Sequence, residues 1–133
     1  FNACEPESEK KGRGRFGMLS SENPEFAAIS FFDHIYHGKG LEDAISLSTP
    51  KMERLIRSYH TSKSVQKHVL NMRFDKVNIE PSTRSAGRNE FAKKAKMSLI
   101  FKGELHGDIV NDMRVVKLIK DDDGWKVDEV SLE

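Results

Sequence analysis

The fold is decided by residues Phe91–Leu132, which read FAKKAKMSLIFKGELHGDIVNDMRVVKLIKDDDGWKVDEVSL. In the first part of this stretch, apolar residues recur at odd positions, while lysine, serine and glutamate recur at even positions. The odd set is Phe91, Ala95, Met97, Leu99, Phe101 and Leu105, and the even set is Lys94, Lys96, Ser98, Lys102 and Glu104. This alternation is typical of a β-strand with one buried face and one solvated face. The stretch therefore predicts three long antiparallel strands, with the helical sequence upstream packed on the buried face.

A hairpin is predicted directly after that first long strand. His106-Gly107-Asp108 is interpreted as a three-residue loop, because glycine can take the left-handed conformation that such a loop needs. A loop of this length pairs Phe101 with Met113 and Leu99 with Val115, so that apolar residues meet on one face. The hairpin thus predicts that the odd positions of both strands face the core.

The remaining strands carry signals of irregular pairing. Gly103 interrupts the buried face and is interpreted as a bend or bulge rather than a contact site. Asp121–Gly124 predicts a turn, and the change of parity in the last strand predicts a bulge around Asp128-Glu129. Upstream, a first strand with a bulge near Asp75-Lys76 is predicted to run from about Met72 to Pro81. Residues 82–89 are predicted to form a polar loop.

The strand Ile109–Lys120 is apolar on both faces between Val115 and Ile119. Such a run indicates a strand covered on both sides, or an outer face that contributes to an interface. We therefore expect either intramolecular cover or a homodimer joined through the sheet at Val116 and Leu118.

The half before the sheet predicts helices. Asn23-Pro24-Glu25 is a helix start, because Asn can cap, Pro fits the first helical position and Glu suits the positive end of the helix dipole. Gly38 is the predicted end of that helix. A short helix is predicted over Leu41–Leu47. Thr49-Pro50 starts another helix, and a fourth piece is predicted from Thr61-Ser62 to about Leu70. The helix after Thr49 carries an apolar stripe of Met52, Leu55, Ile56 and Tyr59.

Composition bounds the class of protein. The chain has 133 residues, and its 22 basic and 21 acidic residues give a net charge of +1. A net charge this close to zero argues against a dedicated nucleic-acid binder. One cysteine excludes an internal disulfide framework and a cysteine-based zinc cluster. Because no run of eighteen apolar residues occurs, no transmembrane helix is predicted. We expect a single domain over residues 23–133.

Residues 1–22 form a predicted flexible tail, since they are too polar to offset the entropy lost on ordering. At their start, Phe1-Asn2-Ala3-Cys4 resembles the end of a bacterial lipoprotein signal, in which a small residue precedes the lipidated cysteine. The resemblance implies acyl chains on Cys4, a stalk over the rest of the tail, and membrane contact only through that anchor. Glu5, in place of Asp, implies the outer membrane of a Gram-negative envelope. The alternative is an unmodified Cys4 in a tail of a cytoplasmic protein.

The order of elements resembles the nuclear transport factor 2-like superfamily. The resemblance lies in the capped first helix with Phe31-Phe32 and in the closing Asp123-Gly124-Trp125-Lys126-Val127. It implies an α+β, cystatin-like cone, in which N-terminal helices pack on a strongly bent antiparallel sheet of about four strands. It also implies a pocket at the open end, which we assign to Phe32, Tyr36, Tyr59, Met97, Met113 and Trp125. Tyr59 and Trp125 are alternatively core residues.

Two functions remain open at this point. The superfamily resemblance implies either a non-catalytic envelope domain that binds a small apolar ligand or a protein partner, or a pocket enzyme of the ketosteroid isomerase or dehydratase type. The enzyme would use Asp33, His34, Tyr36 and His37 as an acid–base cluster. Asp33 and His37 also suit a solvated helix face at their spacing of four residues, which favours the non-catalytic interpretation. No cofactor and no metal are predicted, because the histidine pair lacks a third ligand.

Overall fold

The computed structural model describes residues 23–82, 88–89 and 93–132 and has the predicted α+β order, with helices before an antiparallel sheet. The predicted tail with Cys4 and the strand start at Phe91 lie outside those residues. The helices are α1 (Pro24–His37), α2 (Glu42–Ser46), α3 (Pro50–Tyr59), α4 (Ser62–Val65) and a π-helix (Gln66–Leu70). The strands are β1 (Lys76–Pro81), β2 (Arg88–Asn89), β3 (Lys94–Leu105), β4 (Asp108–Asp121) and β5 (Gly124–Ser131).

Helix α1 forms the centre of the core. Its start is confirmed, because Asn23 Oδ1 accepts hydrogen bonds from the backbone N–H groups of Glu25 at 2.9 Å and Phe26 at 3.4 Å. Its buried face carries Ala27, Ala28, Phe31, Phe32 and Ile35. The ring of Phe32 packs edge-on against that of Phe101 in β3, with centroids 4.9 Å apart. The apolar face of α1 is therefore packed directly on the sheet, as predicted.

Helices α3 and α4 follow the predicted caps. Thr49 Oγ1 accepts from the Met52 N–H at 3.3 Å, and Thr61 Oγ1 accepts from the Ser64 N–H at 3.1 Å. The apolar stripe of α3 is only partly buried, since Met52 and Ile56 are in the core whereas Leu55 is 42% exposed. One side of α3 therefore leaves apolar surface uncovered.

The sheet has the strand order β1-β3-β4-β5, and β2 pairs with the start of β3. Two local predictions upstream of β3 were wrong. Arg88-Asn89 belong to β2 instead of a loop, and Met72 and Phe74 precede β1 as irregular backbone. No bulge near Asp75-Lys76 is needed, because the run from Met72 to Phe74 does not join the ladder.

The predicted register of the β3–β4 hairpin was wrong by one residue. The loop has two residues, His106 and Gly107, with φ of 55° and 87°, and Leu105 pairs with Asp108. A two-residue turn with both φ values positive matches the right-handed twist of the strands. A slip of one residue moves every side chain of a strand to the other face.

The corrected register decides which residues of β4 enter the core. Leu99 lies opposite Arg114, and Met97 lies opposite Val116. Val116 and Leu118 are 0% and 1% exposed within the single chain. These two residues therefore cannot form the surface of a sheet-to-sheet dimer, although the dimer itself stays a prediction. The inner face of β4 consists of its even-numbered residues.

Gly103 was wrongly interpreted as a bend, because its pairing with Val77 is regular. A Cβ atom added there would lie 2.4 Å from the Lys76 carbonyl oxygen and 2.5 Å from Cδ1 of Phe74. Gly103 is therefore a contact site, at which the ring of Phe74 lies directly on the strand.

The bulge predicted in the last strand is confirmed. Lys117 pairs with Glu129 and Leu118 pairs with Val127, which leaves Asp128 as the extra residue. The outer edge of β5 is covered by the α2–α3 connection, since the Val127 N–H donates to the Leu47 carbonyl at 2.7 Å. Helix α3 is thereby fixed beside the bulge. Among the described residues, no helix is long and apolar enough to cross a bilayer.

Candidate functional site

The most constrained polar group described is Arg114, which the corrected register places on the inner face of β4. The residue is 3% exposed. Its Nε donates to the Leu70 carbonyl at 3.1 Å and its Nη2 donates to the Asn71 carbonyl at 2.8 Å. Its Nη1 donates to Asp112 Oδ1 at 2.6 Å and to the Met113 carbonyl at 2.8 Å. A cation that donates hydrogen bonds to the last carbonyls of a helix is stabilised by the helix dipole. Arg114 therefore ties the π-helix to the sheet.

Tyr36 ties the same segment to α1. Its hydroxyl donates to the Met72 carbonyl at 2.7 Å, and its ring packs against that of Phe74 with centroids 5.6 Å apart. Burial raises the pKa of Tyr36 above its ordinary value, although the positive charge of Arg114 lowers it in part. The hydroxyl is thus held neutral as a donor to the backbone.

Of the four residues predicted as an acid–base cluster, Asp33 and His37 pair with each other, whereas His34 and Tyr36 have partners outside the cluster. His37 Nδ1 lies 2.8 Å from Asp33 Oδ1 in an exposed pair one helical turn apart, and His34 Nδ1 lies 3.9 Å from Asp43 Oδ2. His37 borders an open depression that is also lined by Asp75 and Lys102. Since the Tyr36 hydroxyl is bonded to backbone, these groups do not converge on one reacting position. The arrangement matches the solvated helix face of the alternative interpretation.

The residues predicted to line one ligand pocket are separated by the structure. Phe32, Met97 and Trp125 are at most 3% exposed and lie inside the core. Met113 is 45% exposed and faces the outer side of the sheet, because the register places it opposite Ile100. Tyr59 stacks on His68 with ring centroids 5.1 Å apart. Core packing by α1 fills the position where a pocket was expected.

A groove between α3 and β5 is lined mainly by apolar surface. Its volume is about 530 Å³. Its apolar lining is Met52, Leu55, Val69 and Val130. Depressions of several hundred Å³ with an apolar floor and a few polar groups are typical of binding sites. We take this α3–β5 groove as the candidate site.

Charged residues line the two sides of the α3–β5 groove. Lys51 and Arg54 lie on the α3 side, while Asp128 and Glu129 lie on the β5 side. Lys51 Nζ contacts Asp128 Oδ2 at 3.4 Å, whereas Arg54 makes no ion pair within the described part of the chain. An apolar floor with one uncompensated guanidinium suits an apolar group next to a carboxylate.

The groove is built by the connection that precedes α3. Thr49 Oγ1 donates to Asp128 Oδ1 at 2.8 Å while it caps the helix, and the Thr49 N–H donates to the Val127 carbonyl at 3.0 Å. Both walls are therefore fixed in the folded chain, which lowers the entropy lost on binding.

Sequence reasoning did not identify this groove. Leu55 was placed in a buried stripe, and the bulge that brings Asp128 to the helix was predicted without its contact partner. The available signal was the charge pattern Lys51, Arg54 and Arg57 around Leu55 on the helix, since a fully buried face excludes such close cations.

Among the described residues, no group of three or more histidine, cysteine, aspartate or glutamate side chains is arranged to hold a metal ion. Comparison of the chain with family models, curated proteins and solved structures found no match. The function is therefore argued from the geometry of the chain itself.

Proposed function

We propose that the chain is a non-catalytic envelope lipoprotein domain that binds an apolar segment of a protein partner in the α3–β5 groove. The observation that carries the proposal is the exposed Leu55 on a floor completed by Met52, Val69 and Val130. A non-catalytic role is supported by the exposed Asp33–His37 pair and by the partners of His34 and Tyr36 outside the cluster.

A protein segment suits the groove better than a small enclosed ligand. The groove runs along the outside of α3, and Leu55 and Arg54 are exposed beside it. An open apolar surface flanked by charges is the form that recognises one face of a helix or an extended segment. Arg54 selects a segment that carries a carboxylate next to its apolar residues.

We further infer that the fold is the cystatin-like cone of the nuclear transport factor 2-like superfamily. This inference is supported by the buried Phe31-Phe32 pair of α1 packed on the sheet and by Trp125 buried in the last strand. In this chain the inner face is filled by aromatic side chains and Arg114, which moves binding to the edge of the domain.

Binding in the groove is tested by photo-cross-linking. A photoreactive residue replaces Leu55 in bacteria that produce the lipidated chain. The expected result is one discrete protein adduct, which a matched substitution at Ile109 does not give. Ile109 is 81% exposed and lies on β4, away from the groove. The identified partner is then purified, and Leu55→Glu weakens its binding at least about tenfold, a loss of about 1.4 kcal/mol, whereas Ile109→Glu leaves it unchanged.

Two outcomes would contradict the groove proposal. One is an equal pattern of adducts from positions 55 and 109, which would indicate non-specific contact. The other is a small apolar molecule found in the native protein by mass spectrometry and displaced by Leu55→Glu, which would replace the protein partner by a ligand.

The anchor is tested separately on protein isolated from a bacterial envelope. Acyl mass on Cys4 is expected, together with a mature chain that begins at that residue. An N-terminal peptide that contains an unmodified Cys4 would remove the lipoprotein part of the proposal and leave the groove untouched.

A further inference from the structure

Three lysines meet on the outer face of the sheet, on the side opposite the core. Lys96 lies directly opposite Lys117, and Lys94 lies opposite Ile119 two residues earlier on the same face. All three are exposed. Side chains opposite each other in an antiparallel pair have Cβ atoms about 5 Å apart, and like charges in that position repel. The lysine cluster of Lys94, Lys96 and Lys117 is therefore electrostatically unfavourable in the unliganded chain.

Among the described residues the cluster has no ion-paired carboxylate, although Glu129 lies opposite Lys117 on β5. None of the three lysines makes an ion pair with any residue that the structure describes. By contrast, Lys102 on the same strand and face pairs with Glu80 at 3.2 Å. The lysine at one end of this face is therefore ion-paired, whereas the three at the other end form no ion pair with the described residues.

The two described acidic residues that border the cluster are already engaged. Asp128 accepts from Thr49 Oγ1 at 2.8 Å and lies 3.4 Å from Lys51 Nζ. Glu129 lies 3.8 Å from the same Lys51 ammonium group. Their charge is directed toward α3, which leaves the three lysine ammonium groups available to a ligand.

The surface between these groups is concave. A depression of about 370 Å³ is lined by the lysine cluster and by Ile119, with Asp128 and Glu129 on the far side. We propose that this depression is a binding site for a small phosphate-bearing anion. A phosphate group offers several oxygens that accept from separate ammonium groups, and lysine binds phosphate as a flexible point charge.

A free anion suits the site better than an anionic membrane surface. Asp128 and Glu129 border the depression and would repel an extended layer of negative charge more than a small anion bound on the lysine side. The proposal uses no residue that forms the floor of the α3–β5 groove, so it holds or fails independently of the proposed function.

The test measures binding of inorganic phosphate to the full chain by calorimetry, and by the shift of thermal unfolding against sodium chloride of equal ionic strength. We expect a dissociation constant on the order of 1 mM. The double variant Lys96→Gln/Lys117→Gln is expected to bind at least about tenfold more weakly. Lys102→Gln is the matched control, because it removes an exposed lysine of the same strand and face and should bind phosphate normally.

The second experiment measures binding to a membrane surface. Vesicles of phosphatidylglycerol in phosphatidylcholine are mixed with protein that carries no acyl groups, and co-flotation is measured. The proposal predicts no flotation with these vesicles that depends on Lys96 and Lys117. If phosphate shifts thermal unfolding no more than chloride does, the shift is due to ionic screening of the lysines, and the proposal is overturned. Lysine-dependent flotation without binding of free phosphate would also overturn it, in favour of a lipid surface.

Discussion

Strand β4 presents a cation on each of its two faces, and the two differ in how they are partnered. Arg114 on the inner face donates to the carbonyls of Leu70 and Asn71 and to Asp112. Lys117 on the outer face lies between Lys96 of β3 and Glu129 of β5 and makes no ion pair within the described residues. A buried charge persists only when fully bonded, whereas an exposed one tolerates repulsion in water. The inner cation is thus structural, and the outer one is available to a ligand.

The largest effect is expected from Arg114→Ala. The substitution leaves two helix-terminal carbonyls without their donor and the Asp112 carboxylate without its partner. We expect the free energy of unfolding to fall by about 3 kcal/mol, since buried carbonyls lose a charged donor and the truncated side chain leaves a cavity. Urea denaturation of the purified chain measures this change.

The control for that experiment is Arg114→Lys, which keeps the charge and loses the planar fork. It should recover part of the stability, because one ammonium group can reach fewer of the four acceptors. A loss below about 1 kcal/mol for Arg114→Ala, the size of a single ordinary hydrogen bond, would show that Arg114 is not the tie between helix and sheet.

Gly103→Ala tests how closely the inner face of β3 is packed against Phe74. The added Cβ would overlap the backbone oxygen of Lys76 and the ring of Phe74, so either β1 or the segment before it must move. Overpacking of this kind destabilises by about 2 kcal/mol. Gly40→Ala is the matched control, because nothing lies within 4 Å of a Cβ at Gly40. Equal thermal shifts for the two variants would contradict the close contact.

A smaller effect is expected from Tyr36→Phe, which removes the hydrogen bond to the Met72 carbonyl and keeps the ring. Loss of one such bond lowers the free energy of unfolding by about 1 kcal/mol. A variant as stable as the parent chain would show that the Tyr36 hydroxyl does not fix the segment after the π-helix.

The same residue predicts a pH dependence. Burial raises the folded-state pKa of Tyr36 above the unfolded value of about 10, so the folded chain retains the proton where the unfolded chain loses it. This contribution to stability is complete below pH 10 and declines as the pH rises above it. Tyr36→Phe should therefore show a shallower decline of unfolding free energy above pH 10. Parallel curves for the two chains would contradict the assignment.

The inner face also shows the limit of the sequence as a guide. Caps at Asn23 and Thr49, the alternation in β3 and the bulge at Asp128 were predicted because each is a local signal. Which residues of β4 face the core was not predicted correctly. Residues 115, 116, 118 and 119 are apolar on both faces of the strand, so either register buries some of them. The register is set by the turn length, and the two-residue turn requires a positive φ at His106, which only a few per cent of residues other than glycine adopt.

The candidate sites depend on contacts that are distant in sequence. The α3–β5 groove joins residues that are far apart in the chain, and the hydrogen bond from Thr49 to Asp128 that fixes it spans 79 positions. The lysine cluster was visible in part, because Lys94 and Lys96 share one face of β3. Lys117 lies opposite Lys96 only in the register set by the two-residue turn, so the three-residue loop predicted from the sequence did not indicate this contact.

The smallest effect has the opposite sign and concerns the outer face. Lys117→Gln keeps most of the aliphatic stem and removes the charge that faces Lys96. In low salt without phosphate, we expect the free energy of unfolding to rise by about 0.3 kcal/mol, because opposed like charges are destabilising. The gain should vanish near 1 M salt, where the screening length is only about 3 Å. Lys102→Gln loses its pair with Glu80 and should gain nothing. If Lys117→Gln instead destabilises the chain, Lys117 has a structural partner as Arg114 does, and the two faces of β4 do not differ in kind.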